Sequence, residues 1–129
     1  MKTGYRFNPL KDSIAPECDS LTLPNFRYRQ KAGSSQEVIS LAKDLKERGY
    51  WLHGHAIYDL RNKPRATYWT ELKPYIANLV KGFEGVIDSW DVCNEVSDHN
   101  KGLWGDDWQV EMFEYMRELC PKAKLWLNE

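Results

Sequence analysis

The chain has 129 residues, the size of one ordinary domain, and its formal charge of −1 comes from 18 basic and 19 acidic residues scattered along it. Hydrophobic residues at 42% and charged residues at 29% make a packed core feasible and argue against disorder. With no basic stripe and no apolar run near the ~20 residues that span a bilayer, neither a nucleic-acid groove nor a membrane span is expected.

Six Trp, seven Tyr and four Phe can fill a core, and exposed Trp and Tyr rings also stack on the flat faces of sugars. The amino terminus, MKTGYRFNPL, lacks the apolar segment of a secretory signal, so any export signal is expected outside this chain. Cys18, Cys93 and Cys120 are odd in number and have no C-x-x-C spacing. They read as free thiols, not as a disulfide framework or a zinc site.

Residues 1–33 carry Pro9, Pro16, Pro24 and Gly33 and no sustained helical period. In SSQEVISLAKDLKERG, Ser34 and Glu37 have capping-box spacing, and Val38, Leu41, Ala42 and Leu45 form one apolar stripe that Gly49 closes. YWLHGHAIY is a run of strand length, with a polar end read around His53, Gly54 and His55, and DLRNKPRA after it reads as loop. A second helix is expected from about Thr70 to Phe83, with Pro74 in its first turn, a stripe of Tyr75, Ile76, Leu79, Val80 and Phe83, and Gly85 as its stop. VIDSWDVCNE is the next strand and VSDHNKGLWG the next loop. Asp106 and Asp107 then suit the start of a third helix with Trp108, Met112, Phe113, Met116 and Leu119 inward, Pro121 ends it, and AKLWLNE is a last strand.

Apolar strands alternating with amphipathic helices predict an α/β fold with a parallel sheet of three or four strands. An open doubly wound sheet and a (β/α)8 barrel both fit, although no G-x-G-x-x-G loop follows any strand. In either, functional side chains gather at the carboxyl ends of the strands. There the chain offers His53 and His55, then Asn94 and Glu95, then Asn128 and Glu129. Glu95 is the sharpest candidate, because a carboxyl at an apolar rim has its charged form desolvated and suits a general acid. Asn94 beside it suits a substrate hydroxyl; the alternative is that the pair caps the following loop. His53 and His55 share one side of a strand but have no third metal ligand at an obvious spacing, so hydrogen bonding within the protein is the expectation. His99 reads as exposed. Asp91, on the Cys93 and Glu95 side of its strand, reads as a buried acid held by backbone or helix donors. Trp108 reads as core, and Trp104 as packing above the rim.

These residues resemble a known family. SWDVCNEV resembles the W-D-V-x-N-E segment on strand four of family 10 glycoside hydrolases, the β-1,4-xylanases. HGHAIYD is similar to the family's R-G-H-T-L-V-W stretch on strand three, and LWGDDWQVEMFEYMRELCPKAKLWLNE to its run from helix four into an L-Y-I-N-D strand five. The resemblance covers residues 34–129 and implies a partial (β/α)8 TIM barrel, roughly strands two to five, as one incomplete catalytic domain over residues 1–129. It further implies retaining hydrolysis of xylan or xylo-oligosaccharides with Glu95 as acid/base, Asn94 and His55 holding the sugar, and no cofactor or metal.

Departures from the pattern are specific. The family's nucleophile Glu belongs to strand seven, beyond these residues; Asp59 stands where the family has Trp; Glu129 replaces an Asp; and the strand-two Glu-Asn and Lys motif is not recognisable in PECDSLTLPN, although Glu17 is near. The expectation is therefore a truncated xylanase, inactive alone, whose open sheet edges favour self-association. The alternatives are a non-catalytic carbohydrate-binding or vestigial half barrel, and another retaining barrel β-glycosidase. The family is usually secreted, but nothing in the chain assigns a compartment.

Overall fold

The computed structural model describes residues 4–6, 19–24, 26, 35–59, 69–94 and 107–128. Among them lie β1 (Gly4–Arg6), β2 (Ser20–Pro24), α1 (Gln36–Glu47), β3 (Trp51–Asp59), α2 (Trp69–Gly82), β4 (Ser89–Asn94), α3 (Trp108–Leu119) and β5 (Lys124–Asn128). The strands form one five-stranded sheet in the order β1-β2-β3-β4-β5, every neighbouring pair parallel. The sheet thus exceeds the three or four strands expected, because residues 1–33 contribute two. Strand order follows chain order without reversal. A doubly wound sheet reverses at its switch point, whereas successive strands of a (β/α)8 barrel do not. The order therefore selects the barrel.

Each helix covers the sheet through the stripe that its sequence provides. In α1, Val38, Ala42 and Leu45 are buried, whereas Leu41 lies at the edge of the stripe and is 37% exposed. The cap is Ser35, whose hydroxyl accepts from the Val38 amide at 3.3 Å, so the cap lies one residue past the expected Ser34 and, with Val38 at the third helical position, no reciprocal box with Glu37 forms. Gly49, at φ +94°, supplies the left-handed stop. In α2, Leu72, Ile76, Leu79 and Val80 are buried, with Phe83 just past the last turn. Pro74 is the sixth residue of α2 and not in its first turn. It sits on the exposed side, where a missing amide costs one helical bond without a clash against the sheet. In α3, Trp108, Met112 and Met116 point inward, with Phe113 and Leu119 packed beside them.

Side chains also pin the joints. The Lys46 ammonium reaches Asp88 at 2.6 Å, and the other carboxylate oxygen of Asp88 accepts the Leu52 amide at 2.8 Å, which locks the end of α1 to the starts of β3 and β4. Arg117 donates to the carbonyls of Pro121 and Ala123 at 2.9 and 2.7 Å and closes the turn into β5. The half-buried Tyr75 hydroxyl donates to the Phe26 carbonyl, and its partial desolvation pushes the phenol pKa upward. No helix among the described residues is long and apolar enough to cross a membrane.

Candidate active site

Side chains alternate along a strand, so burying one set against the helices turns the other set to the opposite face. Leu52 and Trp90 belong to the core under the helices, and Trp90 meets Phe26 and Phe83 edge-on at 5.1 and 6.2 Å. The alternate residues Trp51, His53, His55, Ser89 and Asp91 therefore share the other face, which in a barrel is the interior. Parallel register sets His53 opposite Ser89 and His55 opposite Asp91.

That register assembles a connected polar group. One Asp91 carboxylate oxygen lies 2.6 Å from His55 Nδ1 and 2.8 Å from His53 Nε2. The other nitrogen of His53 lies 2.7 Å from the Ser89 hydroxyl, to which the Trp51 indole also donates at 3.1 Å. Burial alone would push the Asp91 carboxyl up, but the hydrogen bonds and charge of the two imidazoles outweigh it and hold the pKa at about 2. The clasp follows the expectation that the histidines are satisfied within the protein. It differs for Asp91, whose donors among the described residues are the two histidine side chains of β3, where backbone or helix donors were expected.

Two expectations about strand geometry change. His53 and His55 are the third and fifth of nine residues in β3, because Ala56, Ile57 and Tyr58 are buried and continue the strand. Cys93 does not share the side of Asp91. A register shift between Asp91 and Cys93 gives β4 one residue more than β5, and such a bulge breaks the alternation. The Cys93 sulfur accordingly meets Met112 of α3 at 3.7 Å, while Asn94 turns back and accepts from the Asn128 amide at 2.6 Å. Asn94 is 1% exposed at the carboxyl end of β4.

The structure therefore places His55 and Asn94 on neighbouring strands, one at the Asp91 clasp and one at the rim just past it. Glu95 follows Asn94 in sequence but lies outside the described residues, as do Glu17, Cys18, Ser34, His99, Trp104, Asp106, Glu129 and the two loops expected after β3 and β4. Ser89 and Trp51 went unnoticed in the sequence reading, since nothing local in the chain signals a partner on the next strand. Among the described residues no group of three His, Cys, Asp or Glu side chains is arranged to hold a metal ion. Cys93 and Cys120 are free thiols. A cavity of about 410 Å³ bordered by Phe83, Asp88, Trp90 and Cys120 lies at the amino ends of β4 and β5, away from this group.

The acidic clasp makes folding pH-dependent. Asp91 has a folded pKa near 2 against an ordinary 3.8, so its contribution is fully present above the unfolded value and is lost as pH falls through about 2. At full size it is worth about 2 kcal/mol. Urea unfolding at pH 5 and at pH 2 is expected to show a fall in stability that is smaller by about that amount in Asp91→Asn. An equal fall in both proteins would mean that Asp91 is not held this way.

Comparison with known proteins agrees with the architecture. The family model described as Glycosyl hydrolase family 10 matches residues 50–129. The chain is 37% identical over 142 residues to the endo-1,4-beta-xylanase A of Thermotoga maritima, a match that covers 92% of this chain and 13% of that protein. It is 26% identical to the endo-1,4-beta-xylanase A of Caldicellulosiruptor saccharolyticus, covering 95% of this chain and 41% of that one. Among solved structures, native xylanase 10B from Thermotoga maritima superposes with a TM-score of 0.70 at 19% identity, over 98% of this chain and 49% of the other. The chain thus spans about half of a family 10 catalytic structure, and its five strands have the fold of a partial (β/α)8 barrel. Strand order, the W-D-V-x-N-E segment that begins in β4 and the matched family model converge: the chain belongs to glycosyl hydrolase family 10.

Proposed function

We propose that this chain carries the acid/base half of a retaining endo-1,4-β-xylanase, with Glu95 as the acid/base and Asn94 and His55 holding the sugar at the cleaved bond. The observation that carries the reading is the position of Asn94 in a chain of this family. It is buried at the carboxyl end of β4, braced by Asn128, with the residue next in sequence a glutamate. That is the rim where a barrel keeps its chemistry. Retaining hydrolysis uses two carboxyl groups about 5–5.5 Å apart, one protonating the leaving oxygen and the other attacking the anomeric carbon. The first is Glu95 in this reading, and none of these 129 residues is assigned as the second.

The test is turnover of aryl xylobioside and aryl cellobioside by the native polypeptide that contains this sequence, with the product anomer followed by NMR. Faster release from the xylobioside, with the β-anomer formed first, is expected. Preference for the cellobioside would point to another barrel β-glycosidase, the α-anomer would remove the retaining mechanism, and binding without turnover would favour a carbohydrate-binding role.

Self-association belongs to the same reading. Trp126 and Leu127 of β5 are 54% and 46% exposed, and among the described residues β5 pairs with β4 alone. An open apolar strand is a template for another copy. The 129-residue chain is expected to be a dimer or larger in light scattering at micromolar concentration, and Trp126→Lys with Leu127→Lys to shift it toward monomer. A monomeric parent chain would count against it.

A further inference from the structure

His53 stands where the resembling family stretch has arginine, and this substitution has a chemical consequence. An arginine only donates and is always charged, whereas a neutral histidine donates from one nitrogen and accepts at the other. The Trp51 indole N–H can only donate, so the Ser89 oxygen accepts from it at 3.1 Å. The Ser89 hydroxyl then has its own proton for His53 Nδ1 at 2.7 Å. A ring that accepts at Nδ1 carries its proton on Nε2, which lies 2.8 Å from the Asp91 oxygen. That same oxygen lies 2.6 Å from His55 Nδ1. An ionised carboxylate accepts and cannot donate, so His55 must carry a proton on Nδ1.

We infer that Asp91 is a positioning residue that fixes His55 as its Nδ1–H tautomer, within a one-directional chain running from Trp51 through Ser89 and His53, so that His55 Nε2 faces the sugar as a hydrogen-bond acceptor. The inference rests on the glycosidase reading for its ligand but not for the tautomers. It names the chemistry of the subsite: a ring hydroxyl must donate to His55, and a sugar unit that presents only an acceptor there is disfavoured. In their neutral forms the two rings take opposite tautomers against one carboxylate, an arrangement that an arginine at position 53 would not require.

The test is long-range ¹H–¹⁵N NMR of the imidazole rings in the 129-residue chain at pH 8. In wild type, His55 is expected as Nδ1–H and His53 as Nε2–H. An Nε2–H form of His55 overturns the proposal whatever the sugar does. Asp91→Leu keeps the branched shape of the side chain and removes the acceptor; His55 is expected to swing to a majority of Nε2–H, and a tautomer unchanged in the folded variant would show that Asp91 does not set it. Should that variant not fold, Ser89→Ala serves: Asp91 still holds both rings, so His53 is expected to stay Nε2–H and His55 Nδ1–H, and a change of tautomer at either ring would show that the carboxylate does not set it. Xylotetraose is then added to wild type. A shift at His55 Nε2 larger than at Nδ1 supports the acceptor role, and a shift at Nδ1 alone overturns it. Correct tautomers with no perturbation by xylotetraose anywhere on the rim would overturn the subsite's role and count against the xylanase reading, leaving the tautomer assignment standing.

Discussion

Replacing Gly54 by alanine is expected to lower the stability of the chain by about 3 kcal/mol, at the upper end of overpacking penalties. A Cβ built at Gly54 would sit 2.2 and 2.3 Å from two atoms of the Trp90 indole, far inside van der Waals contact. The indole is held between two rings. It is 1% exposed and packed against Phe26 and Phe83, themselves an edge-on pair at 5.2 Å. Relief through the backbone of β3 would move His53 and His55, which flank the site, and loosen the clasp on Asp91. Thermal unfolding should therefore drop by roughly 10 °C or more. Gly82→Ala is the control. Among the described residues its Cβ would meet the Ile39 side chain, Cδ1 at 3.1 Å and Cγ1 at 4.0 Å, where the flexible methyl end can give way, and a change well under 1 kcal/mol is expected because alanine favours the helix. The cause is isolated by pairing Gly54→Ala with Trp90→Phe, where a smaller ring should recover part of the loss and make the two changes non-additive. Additive effects would move the cause away from this contact.

Gly54 also shows where sequence reading stops. As a glycine in an apolar run it is unremarkable, and only the register of β3 against β4 brings Trp90 over it. The same holds for the polar face. His53, His55, Ser89 and Asp91 are 34 to 38 positions apart in sequence between the two strands, and no local pattern encodes their pairing. What could be read was whatever depends on local period or termination: the stripes of α2 and α3, the left-handed stop at Gly49, and the strands β3, β4 and β5. The misreadings have equally local causes. Leu41 fits the helical period but falls at the edge of the stripe, Ser34 and Ser35 are adjacent and equally suited to cap, and a bulge in β4 undid the alternation that had put Cys93 beside Asp91. β1 and β2 are three and five residues long, too short for periodicity to show between prolines. Asn94 stands out at the polar end of its strand and His55 as a sugar-holding residue through resemblance to a motif, while their brace and clasp appear only in three dimensions.

Changing Glu95 to glutamine in the native polypeptide is expected to cut xylan hydrolysis by roughly 10²–10⁴-fold, the range general acid–base catalysis supplies. Glutamine keeps the size of the side chain and can still hydrogen-bond the sugar, but it has no proton to give the departing oxygen. The loss should depend on that oxygen. A dinitrophenyl xylobioside leaves as a stable phenolate without protonation, so its first step should keep nearly its wild-type rate in the variant. Water must then attack the glycosyl-enzyme without a general base, so the intermediate should accumulate, giving a burst of phenolate followed by slow turnover and an apparent KM below that of wild type. Asn94, 1% exposed and fixed by Asn128, is unaltered by this change, so binding of xylotetraose should stay within a few-fold of wild type. An equal loss for xylan and for the dinitrophenyl substrate would mean that residue 95 acts before proton transfer, in binding or in holding the rim. No loss at all would take the acid/base role away from Glu95 and leave the polar face of β3 and β4 as a sugar-holding surface only.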